Sequence, residues 1–182
     1  MSFVFEKLDI PDIIAVKPEK FQDERGFFSE LFQQKIFSDA GIGKQIKQVN
    51  LSRSSKGVLR GLHYQLKPYA QGKIVRAVSG RIFDVAVDLR KNSPYFGKWA
   101  GIELDCESLS MVFIPEGFAH GFEVLSESAE FEYLCTEFYS PEHERGIIYN
   151  DPDINIAWKT EKPIVSQKDS NYPFFKDAQY NF

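Results

Sequence analysis

Alternation of apolar and polar residues at period two runs through the middle of the chain, whereas helical periodicity is scarce. Lys73 to Val78 (KIVRAV) and Arg81 to Leu89 each read as strands, and the Ser79-Gly80 pair between them predicts a hairpin. In the second arm Phe83, Val85, Val87 and Leu89 share one face, and Asp84, Ala86 and Asp88 share the other. Trp99 to Leu104, Ser110 to Ile114, Ala119 to Leu125 and Ala129 to Tyr139 continue the series, separated by Gly, Pro, Asp and Ser. One short helix is predicted over Gln33 to Ala40, stopped by Gly41 and Gly43. Beyond Tyr139, Pro141, Pro152, Pro163 and Pro173 interrupt any pattern, so irregular chain with short helical turns is expected there. Short, regularly spaced strands with tight turns predict a mainly β fold, a sandwich or jelly-roll barrel with short helices towards the termini. No repeat or linker divides residues 1–182, so a single domain is expected. Barrels of this kind bind small ligands inside, where inward polar side chains on otherwise apolar strands converge.

Composition narrows the partners. A net charge of −4 and a pI near 5.5 provide no overall basic field for nucleic acid or anionic membrane. No run approaches the ~18 apolar residues of a membrane span. The opening segment MSFVFEKLDIPDII lacks the basic-then-apolar order of a secretory leader. Cys106 and Cys135 have no CxxC spacing, which fits a reducing compartment, so a cytoplasmic protein without a disulfide is expected. Aromatic residues make up 15% of the chain, enough to serve a β core, an interface and rings that stack on a ligand.

One constellation points to chemistry. Gly61-Leu62-His63-Tyr64-Gln65 is followed by Lys73, then Gly80, then Pro115-Glu116-Gly117-Phe118-Ala119-His120-Gly121. This resembles the metal-site pattern of double-stranded β-helical (cupin) barrels: His-x-His, Glu with a Gly seven residues on, then Pro-x-Gly-x-x-His. Here Gln65 stands at the second His position and Lys73 at the Glu position. Two imidazoles, an amide and an ammonium do not make a divalent-cation site. Lys73 brings its own positive charge to that place, so neither metal nor cofactor is expected and the pocket is suited to a developing oxyanion.

Further motifs surround it: Asp23-Glu24-Arg25-Gly26-Phe27-Phe28 with Glu30, Gln48-Val49-Asn50-Leu51-Ser52, Gly57-Val58-Leu59-Arg60, Gln71-Gly72-Lys73, Tyr133-x-Cys-Thr-x-x-Tyr139 and Glu142-x-Glu144-x-Gly146-Ile147. In this order and spacing, from about Phe5 to Asp169, the chain resembles the dTDP-4-dehydrorhamnose 3,5-epimerase family. One departure is Ile148-Tyr149-Asn150-Asp151-Pro152 where many relatives have Trp-x-Asp-Pro, which reads as variation in a structural turn. The resemblance implies a nucleotide-sugar epimerase acting on a dTDP-linked 4-keto-6-deoxyhexose. It also implies a homodimer in which Arg25, Phe27 and Glu30 reach the neighbour's site.

Epimerising a carbon beside a ketone requires a base with a pKa near working pH, and His63 is the first choice. By resemblance Asp169, of the Lys168-Asp169 pair, supports that base, and Tyr133 protonates the enolate from the opposite face. Lys73 is the natural oxyanion stabiliser. His120 follows a Pro-x-Gly turn and reads either as a pocket residue or as a core histidine bonded to backbone. Arg25 and Arg60 suit phosphate or sugar oxygens, since a guanidinium pairs with them bidentately. Gln48 and Asn50, two apart on a strand, share a face and can bind base or phosphates. Glu30, Glu144 and Lys168 are ligand positions by resemblance, and Phe27 and Tyr139 are stacking rings or core. The alternatives are an epimerase acting at carbon 3 or 5 alone, a ketoisomerase, a metal-dependent cupin oxygenase, or a sugar-binding barrel without catalysis.

Overall fold

The computed structural model describes residues 2–182. In chain order the strands are β1 (Phe3–Lys7), β2 (Ile14–Pro18), β3 (Phe21–Asp23), β4 (Gly26–Phe28), β5 (Gln48–Ser55), β6 (Val58–Gln65), β7 (Lys73–Ser79), β8 (Arg81–Asp88), β9 (Trp99–Asp105), β10 (Met111–Ile114), β11 (Phe118–Val124), β12 (Ser128–Cys135), β13 (Glu144–Gly146) and β14 (Ile164–Val165). Helix α1 (Gln34–Asp39) follows β4, and α2 (Gln167–Ser170) and a 3-10 turn (Phe175–Asp177) lie near the C-terminus. No helix among the described residues is long and apolar enough to cross a membrane.

Two sheets form the barrel walls, one ordered β1-β2-β10-β7-β12-β5 and the other β13-β6-β11-β8-β9, with β14 beside β6. β7 and β8 therefore do not form the expected hairpin. They lie in different sheets, β7 between β10 and β12 and β8 between β11 and β9, and Ser79-Gly80 turns a corner from one wall to the other. The local turn signal was present, but period two alone does not say which strand is the partner. β12 also ends at Cys135 rather than near Tyr139, because its neighbour β7 begins opposite it at Lys73 and the ladder runs out.

The alternation on β8 resolves into two buried layers. Ile82 and Ala86 face the lumen with Val75, Ala77, Val112, Phe122 and Phe131. Phe83, Val85, Val87 and Leu89 face outward, yet are buried beneath Ile154 and the partly buried Trp158, Phe175, Tyr180 and Phe182 of the C-terminal strap. On the other sheet α1 plays the covering role: Phe37 packs with Val16, Ile42, Ile74 and Met111. That cover stops short of β5, whose outward Val49 and Leu51 remain 58% and 63% exposed.

β6 and β11 come unusually close at the centre of the second sheet. Gly61 has φ +140°, and a Cβ there would lie 2.6 Å from Gly121 Cα, while one on Gly121 would lie 2.8 Å from Arg60 O. The register slips here, between the pairs His120–His63 and Phe122–Arg60. Gly121→Ala is expected to destabilise the fold by about 1–3 kcal/mol, since backbone and not a pliable side chain must give way. Urea unfolding of the two proteins measures this, and a midpoint within error of the parent would contradict it.

Candidate active site

Period two brings a row of polar groups from each sheet into the lumen. On the first sheet Asn50, Tyr133 and Val75 are lateral neighbours, as are Gln48, Cys135 and Lys73 one step along. On the second sheet Gly146, His63, His120 and Ala86 form one row. Leu62 and Tyr64 point into the outer layer while His63 and Gln65 line the cavity. The two rows enclose a cavity of about 310 Å³ lined by Gln48, Asn50, His63, Lys73, Tyr133 and Glu144. It continues into a second compartment of about 220 Å³ reaching Ser52, Arg60, His120, Phe122 and Phe131. His63, Lys73, Tyr133 and Glu144 border both.

His63 Nε2 donates to Asp169 Oδ1 at 2.8 Å, across 106 residues of chain. The other carboxylate oxygen accepts from the Gly61 N–H at 3.2 Å. Asp169 is buried, which opposes ionisation, but the His63 and Gly61 hydrogen bonds outweigh burial and hold its pKa below the usual carboxylate range. The ionised carboxylate fixes the tautomer: Nε2 carries the proton and Nδ1 keeps the lone pair. His63 is thus equipped as a base, half-buried at the cavity wall.

Opposite His63, burial pushes the Lys73 ammonium below its ordinary range, with Cys135, Asp84 and Glu144 partly opposing the shift. Lys73 makes no ion pair among the described residues. A charged donor in a confined, low-dielectric cavity is the arrangement that stabilises a developing oxyanion. Tyr133, on the same wall, has its phenol pKa raised by burial, so it is neutral at pH 7 and can donate. His63 and Tyr133 come from opposing sheets and so approach a ligand between them from opposite sides.

His120 bonds to a side chain rather than to backbone: Nε2 meets Asp84 Oδ2 at 2.8 Å inside the barrel. Burial lowers the His120 pKa and raises that of Asp84, and each partner offsets the other's shift. Asp84 is a site residue that sequence reasoning passed over. Its signal was present as a carboxylate between inward Ile82 and Ala86, on the face read as merely alternate.

At the mouth Glu144 accepts from Lys168 Nζ at 2.5 Å and from Tyr139 Oη at 2.8 Å. Burial works against the Glu144 carboxylate, yet these two donors hold its pKa down. Gln48 Oε1 accepts the Tyr139 N–H, Gln48 Nε2 donates to Asn50 Oδ1, and Arg60 Nε donates to Ser54 Oγ at 3.1 Å. Gln65 holds structure together: it donates to Tyr69 O and Phe138 O and accepts from Ser140 N, clamping the loop that carries Tyr139.

Arg25, Phe27 and Glu30 are not brought to this cavity. Arg25 tips the β3–β4 ribbon, 83% exposed and paired with Asp23, Phe27 lies beside it under Lys20, and Glu30 bonds Gln33. Tyr172, which no sequence signal marked, packs against His63.

Lys73→Met is expected to lower turnover about 10²- to 10³-fold, as for loss of one oxyanion donor, while stabilising the fold by about 1 kcal/mol. Because the folded Lys73 pKa is depressed, the unfolded chain binds more protons between the folded and ordinary lysine values. Parent stability should therefore climb as pH rises through that interval, and the advantage of Lys73→Met should shrink. Thermal unfolding against pH tests this, and a less stable Met variant at neutral pH would contradict it.

Known proteins resemble this chain along almost its whole length. A family model described as dTDP-4-dehydrorhamnose 3,5-epimerase matches residues 7–177. A relative of that name from Shigella flexneri is 56% identical over 176 residues, covering 96% of this chain and 97% of its own. The crystal structure of a dTDP-6-deoxy-D-glucose-3,5-epimerase from Legionella pneumophila, in complex with dTDP-4-keto-L-rhamnose, superposes with a TM-score of 0.91 at 45% identity, covering 95% of this chain and 93% of that one. A 3′-monoepimerase from Streptomyces bikiniensis, in complex with dTDP-quinovose, has a TM-score of 0.86 at 35% identity, covering 93% and 86%.

Proposed function

The chain belongs to the dTDP-4-dehydrorhamnose 3,5-epimerase family, and from that premise we propose that it inverts carbons 3 and 5 of dTDP-4-dehydro-6-deoxy-D-glucose to give dTDP-4-dehydro-L-rhamnose. The observation that carries the reading is the His63–Asp169 dyad facing Lys73 and Tyr133 across one cavity.

At each carbon beside the 4-ketone, His63 Nδ1 takes the C–H proton and becomes imidazolium, stabilised by Asp169. The electron pair moves onto the ketone oxygen, where the Lys73 ammonium meets the enolate charge. An interaction of this kind contributes about 3–4 kcal/mol to the transition state. Tyr133 then delivers its hydroxyl proton to the opposite face of the same carbon. Exchange with solvent returns the proton to Tyr133 and removes the one on His63. Arg60, Gln48, Asn50, Tyr139, Glu144 and Lys168 line or rim the cavity and are assigned to the nucleotide and diphosphate, with the Lys168 ammonium free to exchange Glu144 for phosphate. His120, held by Asp84, lines the inner compartment of the barrel.

Tyr133, as a proton donor facing His63, favours epimerisation at both carbons over one. The 56% identity to a 3,5-epimerase, against 35% to the monoepimerase, favours two carbons. Incubation with dTDP-4-dehydro-6-deoxyglucose in heavy water is expected to place deuterium at both carbons 3 and 5. His63→Ala should slow exchange at both by about 10²- to 10⁴-fold with dTDP affinity retained. Labelling at one carbon only would select the monoepimerase, and unaltered exchange in His63→Ala would remove the base.

Two further features support a homodimer as the working unit. The β3–β4 ribbon exposes Phe21, Phe27 and Phe28, and β5 is a sheet edge with bare Val49 and Leu51. Arg25, Phe27 and Glu30 then serve a second copy's cavity. Mixing inactive His63→Ala with inactive Arg25→Ala subunits should restore about a quarter of parental activity, since half the dimers are mixed and each has one intact site. No restoration, or a monomer by sedimentation at micromolar concentration, would contradict this. The free thiols Cys106 and Cys135 fit a cytoplasmic setting.

A further inference from the structure

We propose that Tyr172 is a positioning residue whose ring walls the His63 imidazole against Asp169. The proposal rests on the reading of His63 as the base. The two rings meet edge to face, with centroids 5.7 Å apart and planes at 70°. The Tyr172 ring lies over β13, where a Cβ added at Gly146 would fall 2.4 Å from its nearest carbon. Gly146 is the residue directly opposite His63 in the β13–β6 ladder, so the absence of a side chain there is what admits the ring beside the base.

The backbone around Tyr172 is tied down on both sides. Asn171 ends α2 two residues after Asp169, Pro173 O accepts from Ile148 N at 3.0 Å, and Asp151 Oδ2 accepts from Phe175 N at 2.6 Å. The hydroxyl is buried near the Lys168 ammonium, with no well-formed hydrogen bond among the described residues. A buried hydroxyl without such a bond contributes little cohesion, so the ring is what the residue supplies. His63 itself has one directional restraint, the Nε2 hydrogen bond, about which an imidazole can still pivot. A rigid aromatic edge against it removes that freedom and keeps Nδ1 aimed into the cavity. It also keeps water from competing for the Asp169 carboxylate.

The test uses the full chain and three variants. Tyr172→Leu removes the ring, Tyr172→Phe keeps it, and Gly146→Ala displaces it from the other side while leaving Tyr172 unchanged. Without substrate, proton NMR of ¹⁵N-labelled protein should show the His63 Nε2 proton protected from solvent in the parent and in Tyr172→Phe. In Tyr172→Leu and Gly146→Ala it should be lost to exchange. With substrate, kcat of those two should fall about 10- to 100-fold, with KM within about twofold, and Tyr172→Phe should restore it. A protected proton in Tyr172→Leu or in Gly146→Ala would overturn the proposal, as would a Phe variant as impaired as Leu. Because the NMR readout needs no turnover, it separates failure of this proposal from failure of the assigned reaction.

Discussion

The hydrogen bond between His63 and Asp169 sets the terms for the rest of the molecule. His63 lies on β6, within a sheet, and its partner is carried by a C-terminal strap that crosses the outside of the barrel first. The strap is irregular, so its course is fixed by individual contacts rather than by a ladder. The buried Glu123 carboxylate takes the N–H groups of Lys159 and Thr160. Asp151 takes those of Asp153, Ile154 and Phe175, and Trp158 donates to Tyr149 O. β14 then runs parallel to β6, pairing Ile164 with Val58, and Ser166 caps α2 by accepting from Asp169 N. Each contact gives a backbone N–H or C=O near the strap a defined partner and so fixes the course of the chain. Together they deliver one carboxylate to within 2.8 Å of one imidazole.

Inside the barrel the electrostatics are costly. Lys73, His120 and Asp84 are all shifted by burial towards their neutral forms. A confined cavity that destabilises charge at rest interacts strongly with charge that appears during reaction, because its effective dielectric is low. The ion pairs at the mouth differ in kind. Lys168–Glu144 is partly exposed and replaceable by a ligand, so it holds the entrance without committing it.

The covering of the two sheets is uneven, and the unevenness is informative. The second sheet is roofed by Trp158, Phe175, Tyr180 and Phe182, the first only partly by Phe37 of α1. What remains bare is β5 and the aromatic ribbon that carries Arg25, which are the features a second copy would cover.

Much of this was legible in the chain. Period-two alternation located the central strands and gave the mainly β class, because side-chain direction alternates along a strand, but it did not say which face of β8 meets the lumen, since both are buried. Resemblance to the cupin pattern implied that His63, Lys73 and His120 would share a lumen, as they do, and Lys73 at a metal-ligand position implied a cationic side chain there. Asp169 was reached through resemblance only, since a carboxylate near the C-terminus has no periodic signature. Tertiary structure alone decided that β7 and β8 part company at Ser79-Gly80, that Asp84 turns to His120, that Gln65 clamps a loop, and that Tyr172 lies on Gly146 beside His63. These are contacts between residues far apart in the chain or in different strands, settled by which strands pair and how the strap packs. Local pattern dictates where a side chain points, and only the folded chain dictates what it meets.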